Sequence, residues 1–114
     1  MIIRKLNDVP PASVPGYEGV AKRVMIGPAD GSNEIVLRHF SVKPGQSTPH
    51  HTHAFPHVVK IESGEGVVSD PAGRKHALKA GDFAYIPDGE LHQFTNTGSA
   101  PFEFLCIVPR RGEG

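Results

Sequence analysis

The chain has 114 residues, a length that predicts one domain with no room for a second core. Lysine and arginine total 12, as do aspartate and glutamate, so nothing in the charge favours nucleic acid or an anionic membrane surface as a partner. No apolar run reaches membrane-spanning length, the opening MIIRKLNDV lacks the apolar stretch of a secretory signal, and the single cysteine excludes an internal disulfide. We therefore expect a cytoplasmic, single-domain protein that binds neither nucleic acid nor membrane.

Residues 1–31 are the least regular part of the chain. Residues 2–3 and 20–26 are predicted to be short strands, separated by the proline-rich loop VPPASVPG. A leading β segment followed by a loosely tethered loop could add a strand to the sheet of a partner. We therefore expect residues 1–31 to support a homodimer.

Residues 34–108 alternate between short β-type runs and turns. Thirteen glycines and eleven prolines leave little room for a long helix, and the sequence from Asp70 to Gly73 is a plausible hairpin turn. The predicted strands are 34–42, 57–63, 66–70, 83–86, 92–96 and 102–108. This spacing predicts an all-β sandwich or barrel over 34–108, followed by a flexible, frayed tail over 110–114.

Four of the seven histidines fall within one stretch, HHTHAFPH. Alternation along an extended chain projects His51 and His53 to the same side. His57 opens the next strand and should face inward, because Lys60 and Glu62 on the opposite face need water. A metal ion would explain an inward histidine at the start of an apolar face, since neutral imidazole is a common metal ligand. A surface run of histidines is the alternative from this pattern alone.

A second block downstream completes a larger pattern. The two blocks read Gly45-x5-His51-x-His53-x3-His57-x6-Gly64 and Gly81-x5-Pro87-x-Gly89-x2-His92-x3-Asn96. Together they resemble the two motifs of the cupin superfamily. The resemblance implies a double-stranded β-helix, the jelly-roll barrel of RmlC-like cupins, over the single domain 1–114.

One position departs from the usual family pattern. The first motif commonly carries a glutamate where this chain has His57, so the chain is similar to a smaller set of single-domain cupins with four histidine ligands, some of which carry manganese. This resemblance implies that one divalent metal ion is held by His51, His53, His57 and His92, with His50 as a bystander. It favours Mn²⁺ or Fe²⁺, whereas imidazole chemistry alone also suits Zn²⁺, Cu²⁺ or Ni²⁺.

The lining of the barrel can be predicted in part from alternation. Glu103 should face water, which turns Phe104 and Cys106 inward, and Phe94 shares the direction of His92. The run 34–42 is apolar on both faces and does not decide between Phe40 and His39. We therefore expect a mostly apolar pocket for a small apolar or aromatic molecule, with Phe94, Phe104, Cys106, Arg38 and Phe40 as candidate lining residues.

Several side chains in and near this pocket allow two interpretations. Arg38 is either an exposed edge or interface arginine or a clamp for a substrate anion. Cys106 is either a small buried hydrophobe or a thiol that points toward the metal. We expect Tyr85 in the core, and His39 and His76 at the surface or in loops.

Two sets of motif residues have predicted structural roles. Asn96 should tie down backbone at a turn. The motif glycines should supply tight turns or a positive φ; they are Gly45, Gly64, Gly81 and Gly89.

Three functions are compatible with the sequence. The first is a metal-dependent oxidoreductase, dioxygenase-like, acting on a small apolar or aromatic substrate. The second is a non-redox isomerase or lyase that uses the ion as a Lewis acid. The third is a non-catalytic module that binds a small molecule or a metal. The resemblance alone does not choose among them, because one fold hosts many activities.

Overall fold

The computed structural model describes residues 1–113, and nine strands account for most of them. The strands are β1 (Ala12–Val14), β2 (Tyr17–Ile26), β3 (Ile35–Val42), β4 (His57–Ser63), β5 (Glu65–Ser69), β6 (Lys75–Lys79), β7 (Phe83–Ile86), β8 (Gln93–Asn96) and β9 (Phe102–Pro109). Short 3-10 turns form at Leu6–Asp8, Pro28–Asp30 and Arg110–Gly112. Within residues 1–113 no helix is long and apolar enough to cross a membrane.

The strands form two antiparallel sheets that enclose one core. The larger sheet has the order β1-β2-β3-β9-β4-β7 and the smaller one β6-β5-β8. Phe94 of the small sheet stacks on Phe104 of the large sheet, with ring centroids 4.7 Å apart. Because side chains alternate along each strand, the inner faces of both sheets fill the space between them. The prediction of an all-β barrel is confirmed.

Most strands from residue 34 onward lie close to their predicted positions, but two strands were not predicted. β6 carries the sequence KHALK, which is exposed at nearly every position and has no apolar alternation to identify it. β1 lies inside the proline-rich stretch that the sequence predicts to be a loop.

The N-terminal segment is organised differently from the prediction. Residues 2–3 form no strand, and β1 pairs instead with β2 of the same chain. Arg4 anchors the segment: its guanidinium forms an ion pair with Asp30, at 2.9 Å, and donates a hydrogen bond to the carbonyl of Met25. A homodimer built on residues 1–31 stays a prediction.

Residues 110–113 are folded rather than frayed. Arg110–Gly112 form a 3-10 turn, and the amide of Arg110 donates a hydrogen bond to the carbonyl of Glu34 at 2.8 Å. The side chain of Glu113 reaches Lys22, with 2.7 Å between Oε2 and Nζ. The short polar sequence gave no sign of these long-range contacts. The last residue of the predicted tail, Gly114, lies outside the described residues.

The sheet register corrects two predictions for individual side chains. Tyr85 is 63% exposed, because it pairs with Val58 on the outer face while Ala84 and Ile86 turn inward. His39 is buried instead of lying at the surface, and its Nε2 is 3.2 Å from the Glu103 carboxylate. His76 is exposed, as expected.

Asn96 and the four motif glycines have the structural roles that the sequence predicted. All four motif glycines have a positive φ. At Gly64 a side chain is also excluded by contact, since a Cβ there would clash with the carbonyl oxygen of Pro101. The amide of Asn96 donates hydrogen bonds to the carbonyls of Val42 and Ala100.

Candidate metal centre

The four predicted histidine ligands meet at one end of the barrel, carried by three different segments. The backbones of His51 and His92 form an antiparallel β-bridge: each amide donates a hydrogen bond to the carbonyl of the other residue, with N to O distances of 3.3 and 3.2 Å. The carbonyl of His53 accepts a hydrogen bond from the amide of Gly89. His57 is the first residue of β4. The loop after β3 is thus pinned to the loop before β8, which brings the two sequence motifs together.

Three of these histidines form a cluster with the dimensions of a metal site. One ring nitrogen from each of His51, His53 and His92 lies within 4.8 Å of the others. The ring centroids of His51 and His53 are 3.9 Å apart, and both lie 5.6 Å from that of His92. Three imidazoles at this spacing can hold a transition metal ion.

His57 lies next to this triad but is not part of the closest cluster. Its ring centroid is 4.8 Å from that of His53 and 5.1 Å from that of His92. The side chain is 5% exposed, and its Nε2 is buried without a hydrogen-bond partner. A buried, unpaired imidazole nitrogen is costly to leave unsatisfied. An ion beside the triad would give Nε2 a partner, so these residues fit a metal.

The backbone orients one ring of the triad for binding. Nδ1 of His92 lies 2.9 Å from the carbonyl oxygen of Glu90, which can only accept a hydrogen bond. Nδ1 therefore carries the proton of a neutral ring, and Nε2 keeps its lone pair. This arrangement of a histidine fixed by a carbonyl behind it is typical of metal ligands.

Burial keeps the histidines in the uncharged form that a metal requires. Burial, with a smaller contribution from neighbouring imidazoles, lowers the pKa of His53 to about 4. Burial, followed by the charge of Arg38, lowers the pKa of His57 to about 3. The pKa of His51 is lowered for the same first reason. Near neutral pH these rings therefore have free lone pairs.

Arg38 lies inside the pocket and not at an exposed edge. Its side chain is buried, and its guanidinium lies 5.2 Å from the centre of the Phe40 ring. Its Nη2 donates a hydrogen bond to Sγ of Cys106 at 3.0 Å and lies 3.4 Å from Nδ1 of His57. A permanent positive charge therefore stands directly behind the histidine cluster.

Cys106 combines features of both interpretations. Its thiol is buried, and burial raises its pKa. Sγ nevertheless points toward the site and lies 3.1 Å from Nδ1 of His57. It contacts the back of one histidine, so its immediate effect is on the orientation of that ring.

The histidines open onto a pocket of about 180 Å³ with an aromatic wall. Phe40, Phe94 and Phe104 form this wall, and the Phe104 ring stacks between the other two at 5.5 and 4.7 Å. All five predicted lining residues border the pocket, and Phe40 rather than His39 faces it. No acidic side chain lines the pocket within the part of the chain that the structure describes.

Sequence reasoning missed four other lining residues: Thr48 and Pro49 from the loop after β3, Val14 from β1 and Lys22 from β2. The sequence suggested residues 1–31 for a partner's sheet. In the structure β1 and β2 extend the large sheet of the same chain beyond β3, which brings Val14 and Lys22 to the pocket. The sequence carried no sign that Lys22 faces the pocket. Alternation along β2 could not be assigned to an inner and an outer face without knowing what β2 packs against.

Comparison with known proteins agrees with this architecture. A family model described as "Cupin domain" matches residues 38–108. The oxalate-binding protein of Thermotoga maritima is 38% identical over 74 residues, which cover 64% of this chain and 60% of that protein. The chain therefore spans about three fifths of the length of this curated relative.

Two solved structures resemble nearly the whole chain. The polyketide cyclase RemF from Streptomyces resistomycificus superposes with a TM-score of 0.89 at 30% identity, over 96% of this chain and 80% of that one. A predicted oxalate decarboxylase from Thermotoga maritima superposes with a TM-score of 0.83 at 26% identity, over 95% and 98% of the two chains.

Proposed function

This chain belongs to the cupin family, and from that premise we propose that it is a metal-dependent enzyme whose substrate is a small aromatic or apolar molecule with an oxygen atom directed at the histidines. The observation that carries this proposal is the composition of the pocket. Four imidazoles and a guanidinium form one end, and stacked phenylalanine rings form the wall.

The metal would be held by His51, His53 and His92, with His57 as the fourth ligand. The buried, unpaired Nε2 of His57 is the feature that supports adding it to the triad. When bound, a divalent ion with only neutral ligands supplies a Lewis acid for a substrate oxygen. Manganese or iron is the ion that we propose, on the resemblance of the two motifs to manganese-binding cupins.

The remaining pocket residues orient the substrate and stabilise its charge. Phe40, Phe94 and Phe104 present flat apolar surface, which binds an aromatic ring and excludes water from its faces. Arg38 places a fixed positive charge at the polar end, where it would stabilise negative charge developing on a substrate oxygen. None of the four histidines that would hold the ion carries a negative charge, so the donor set itself does not neutralise the guanidinium.

We place non-redox activation of the substrate ahead of the dioxygenase-like activity that the sequence suggested first. Four neutral ligands should favour a divalent ion over a trivalent one, which disfavours redox cycling. The likeness to a polyketide cyclase extends over 96% of this chain and supports an oxygen-bearing, polyketide-like substrate. The likeness to an oxalate-binding protein covers 64% of this chain and supports binding of an oxygen-rich molecule.

A dioxygenase-like oxidoreductase is the second candidate. The aromatic wall directly facing the histidines favours it, because aromatic molecules are suitable substrates for oxygen insertion. The two candidates differ in what they consume: only the oxidoreductase requires dioxygen.

The test is turnover with and without oxygen. Untagged protein is stripped of metal, reloaded separately with Mn²⁺, Fe²⁺ or Zn²⁺, and screened against small phenols, aromatic ketones and 1,3-diketones by mass spectrometry. We expect turnover under anaerobic conditions that also occurs with redox-inert zinc and is lost in His53→Ala. Turnover only in air and only with manganese or iron would favour the oxidoreductase. Tight binding with no product under any condition would favour a binding protein.

A further inference from the structure

A carboxylate from the end of the chain is held by two basic residues of the pocket. Oε2 of Glu113 accepts a hydrogen bond from Nζ of Lys22 at 2.7 Å, and Oε1 lies 3.5 Å from Nη1 of Arg38. Lys22 and Arg38 both line the pocket that contains the histidines. The Glu113 side chain is only 15% exposed, so the carboxylate is seated rather than loosely attracted.

A folded turn brings this carboxylate to the pocket. The 3-10 turn Arg110–Gly112 follows β9, and Gly112 lies so close to Phe55 that a Cβ there would be 2.7 Å from the ring. Phe55 in turn stacks on His53, with ring centroids 4.6 Å apart. The turn therefore packs beside the histidine cluster and determines where Glu113 points.

The contact between Glu113 and Arg38 is incomplete. Oε1 of Glu113 and Nε of Arg38 are both buried and have no hydrogen-bond partner. A guanidinium binds a carboxylate best through two parallel hydrogen bonds, and this pair makes none. Buried charges that are imperfectly paired gain little from each other for their loss of water. A better-placed carboxylate could therefore replace Glu113.

We propose that Lys22 and Arg38 form a carboxylate-binding subsite, which Glu113 occupies in the free protein and which a small aromatic carboxylate takes over. The ring of such a ligand would lie against Phe40 and Phe104, and its carboxylate would replace that of Glu113. The proposal names a substrate class for the proposed function and rests on it for placing the ligand beside the histidines. Glu113 then acts as an internal competitor, which lowers the apparent affinity by the fraction of molecules in which it is bound.

The experiment measures ligand affinity in the absence of any catalytic readout. Benzoate and its neutral analogue benzamide are titrated by calorimetry into full-length protein, once metal-free and once loaded with Mn²⁺. Glu113→Gln keeps the shape of the side chain and removes its charge, and Glu65→Gln removes one charge at the exposed start of β5, remote from the pocket. Lys22→Met is made alone and together with Glu113→Gln.

We expect Glu113→Gln to bind benzoate about tenfold more tightly, because the competing carboxylate is gone. Benzamide affinity and the Glu65→Gln variant should be unchanged. Lys22→Met should weaken benzoate binding in either background while leaving benzamide binding unaltered. Lys22→Met alone decides the matter if Glu113→Gln does not fold.

Four results would overturn the subsite. These are unchanged benzoate affinity in Glu113→Gln, unchanged benzoate affinity in Lys22→Met, an equal gain for benzamide, and an equal gain in Glu65→Gln. The metal-free titration separates this proposal from the proposed function. A gain that persists without metal supports the subsite even if the metal-loaded protein turns over no substrate.

Discussion

The two ends of the barrel treat buried polar groups in opposite ways. At the end around Asn96, the side chain is 1% exposed and its amide makes three hydrogen bonds, to the carbonyls of Val42 and Ala100 and from the amide of Gly98. At the histidine end, Arg38 and His57 each keep a buried nitrogen without a partner. Asn96, which ties down backbone, is fully satisfied within the fold, whereas Arg38 and His57, which line the pocket, keep bonding capacity for a ligand.

The two ends also differ in how the core is packed. A Cβ added at Gly66, near Asn96, would lie 2.7 Å from the Phe102 ring, so the core at this position has no room for a side chain. At the histidine end the buried rings of Phe94 and Phe104 line a pocket of about 180 Å³. The closed end fixes the geometry of the two sheets, and the open end can therefore keep charged and unpaired groups without losing the fold. Substitutions at the two ends should separate binding from stability.

The largest expected effect is on metal binding at the open end. His53→Ala should lower the affinity for Mn²⁺ by more than about 100-fold, since loss of an outer partner of a ligand alone costs roughly 10–100-fold. The stability of the metal-free protein should change by less than about 1 kcal/mol, because the side chain is partly exposed. Competition with a chromophoric chelator measures the affinity, and urea unfolding measures the stability.

His50→Ala is the matched control for this variant. His50 is the exposed neighbour in the same histidine stretch, and the motif spacing makes it a bystander. Equal loss of affinity in both variants would contradict the assignment of His53 and would favour loose binding by the whole stretch.

The next largest effect belongs to the closed end. Asn96→Ala should lower the free energy of unfolding by about 3 kcal/mol, because three buried hydrogen bonds contribute roughly 1 kcal/mol each. The affinity for Mn²⁺ in the remaining folded protein should stay within about twofold. Urea unfolding of the metal-free protein measures the first quantity. Asn33→Ala, at an exposed loop position, is the control and should be near neutral.

The comparison also explains how far the sequence could predict the molecule. Strands such as β4 and β9 have one face that needs water, at Lys60 or Glu103, so alternation predicts which side chains turn inward. The motif spacing brings His51, His53, His57 and His92 to the same end, and the structure places them there.

Alternation failed where both faces of a strand had similar chemistry. Tyr85 lies in a short apolar strand with no charged residue to mark the outer face, and its direction depends on the register with β4. The polar strand β6 gave no pattern. Lys22, Arg38 and Glu113 come together from three distant segments, and only the assembled sheet and the final turn determine that contact.

The smallest expected effect is a difference in pH dependence between the two ends. In the metal-free protein the pKa of His53 is lowered to about 4 and that of His57 to about 3, mainly by burial. Both values lie below the ordinary 6.5 of the unfolded chain, so between these values the unfolded state binds more protons. Stability should therefore be full above about pH 6.5 and decrease as the pH falls toward 4 and then 3.

Urea unfolding between pH 4 and 7, with a chelator present, measures this slope in three proteins. Relative to the unmodified chain, His53→Ala should give a slope that is shallower by less than about 1 kcal/mol per pH unit, because solvent screens a partly exposed ring. Asn96→Ala should lower the whole curve without changing its slope, since no titrating group is removed. His39, whose pKa is also lowered by burial, contributes equally to all three. An identical slope in His53→Ala would mean that His53 carries no protonation cost in the folded protein, and the lowered pKa of its ring would then be wrong.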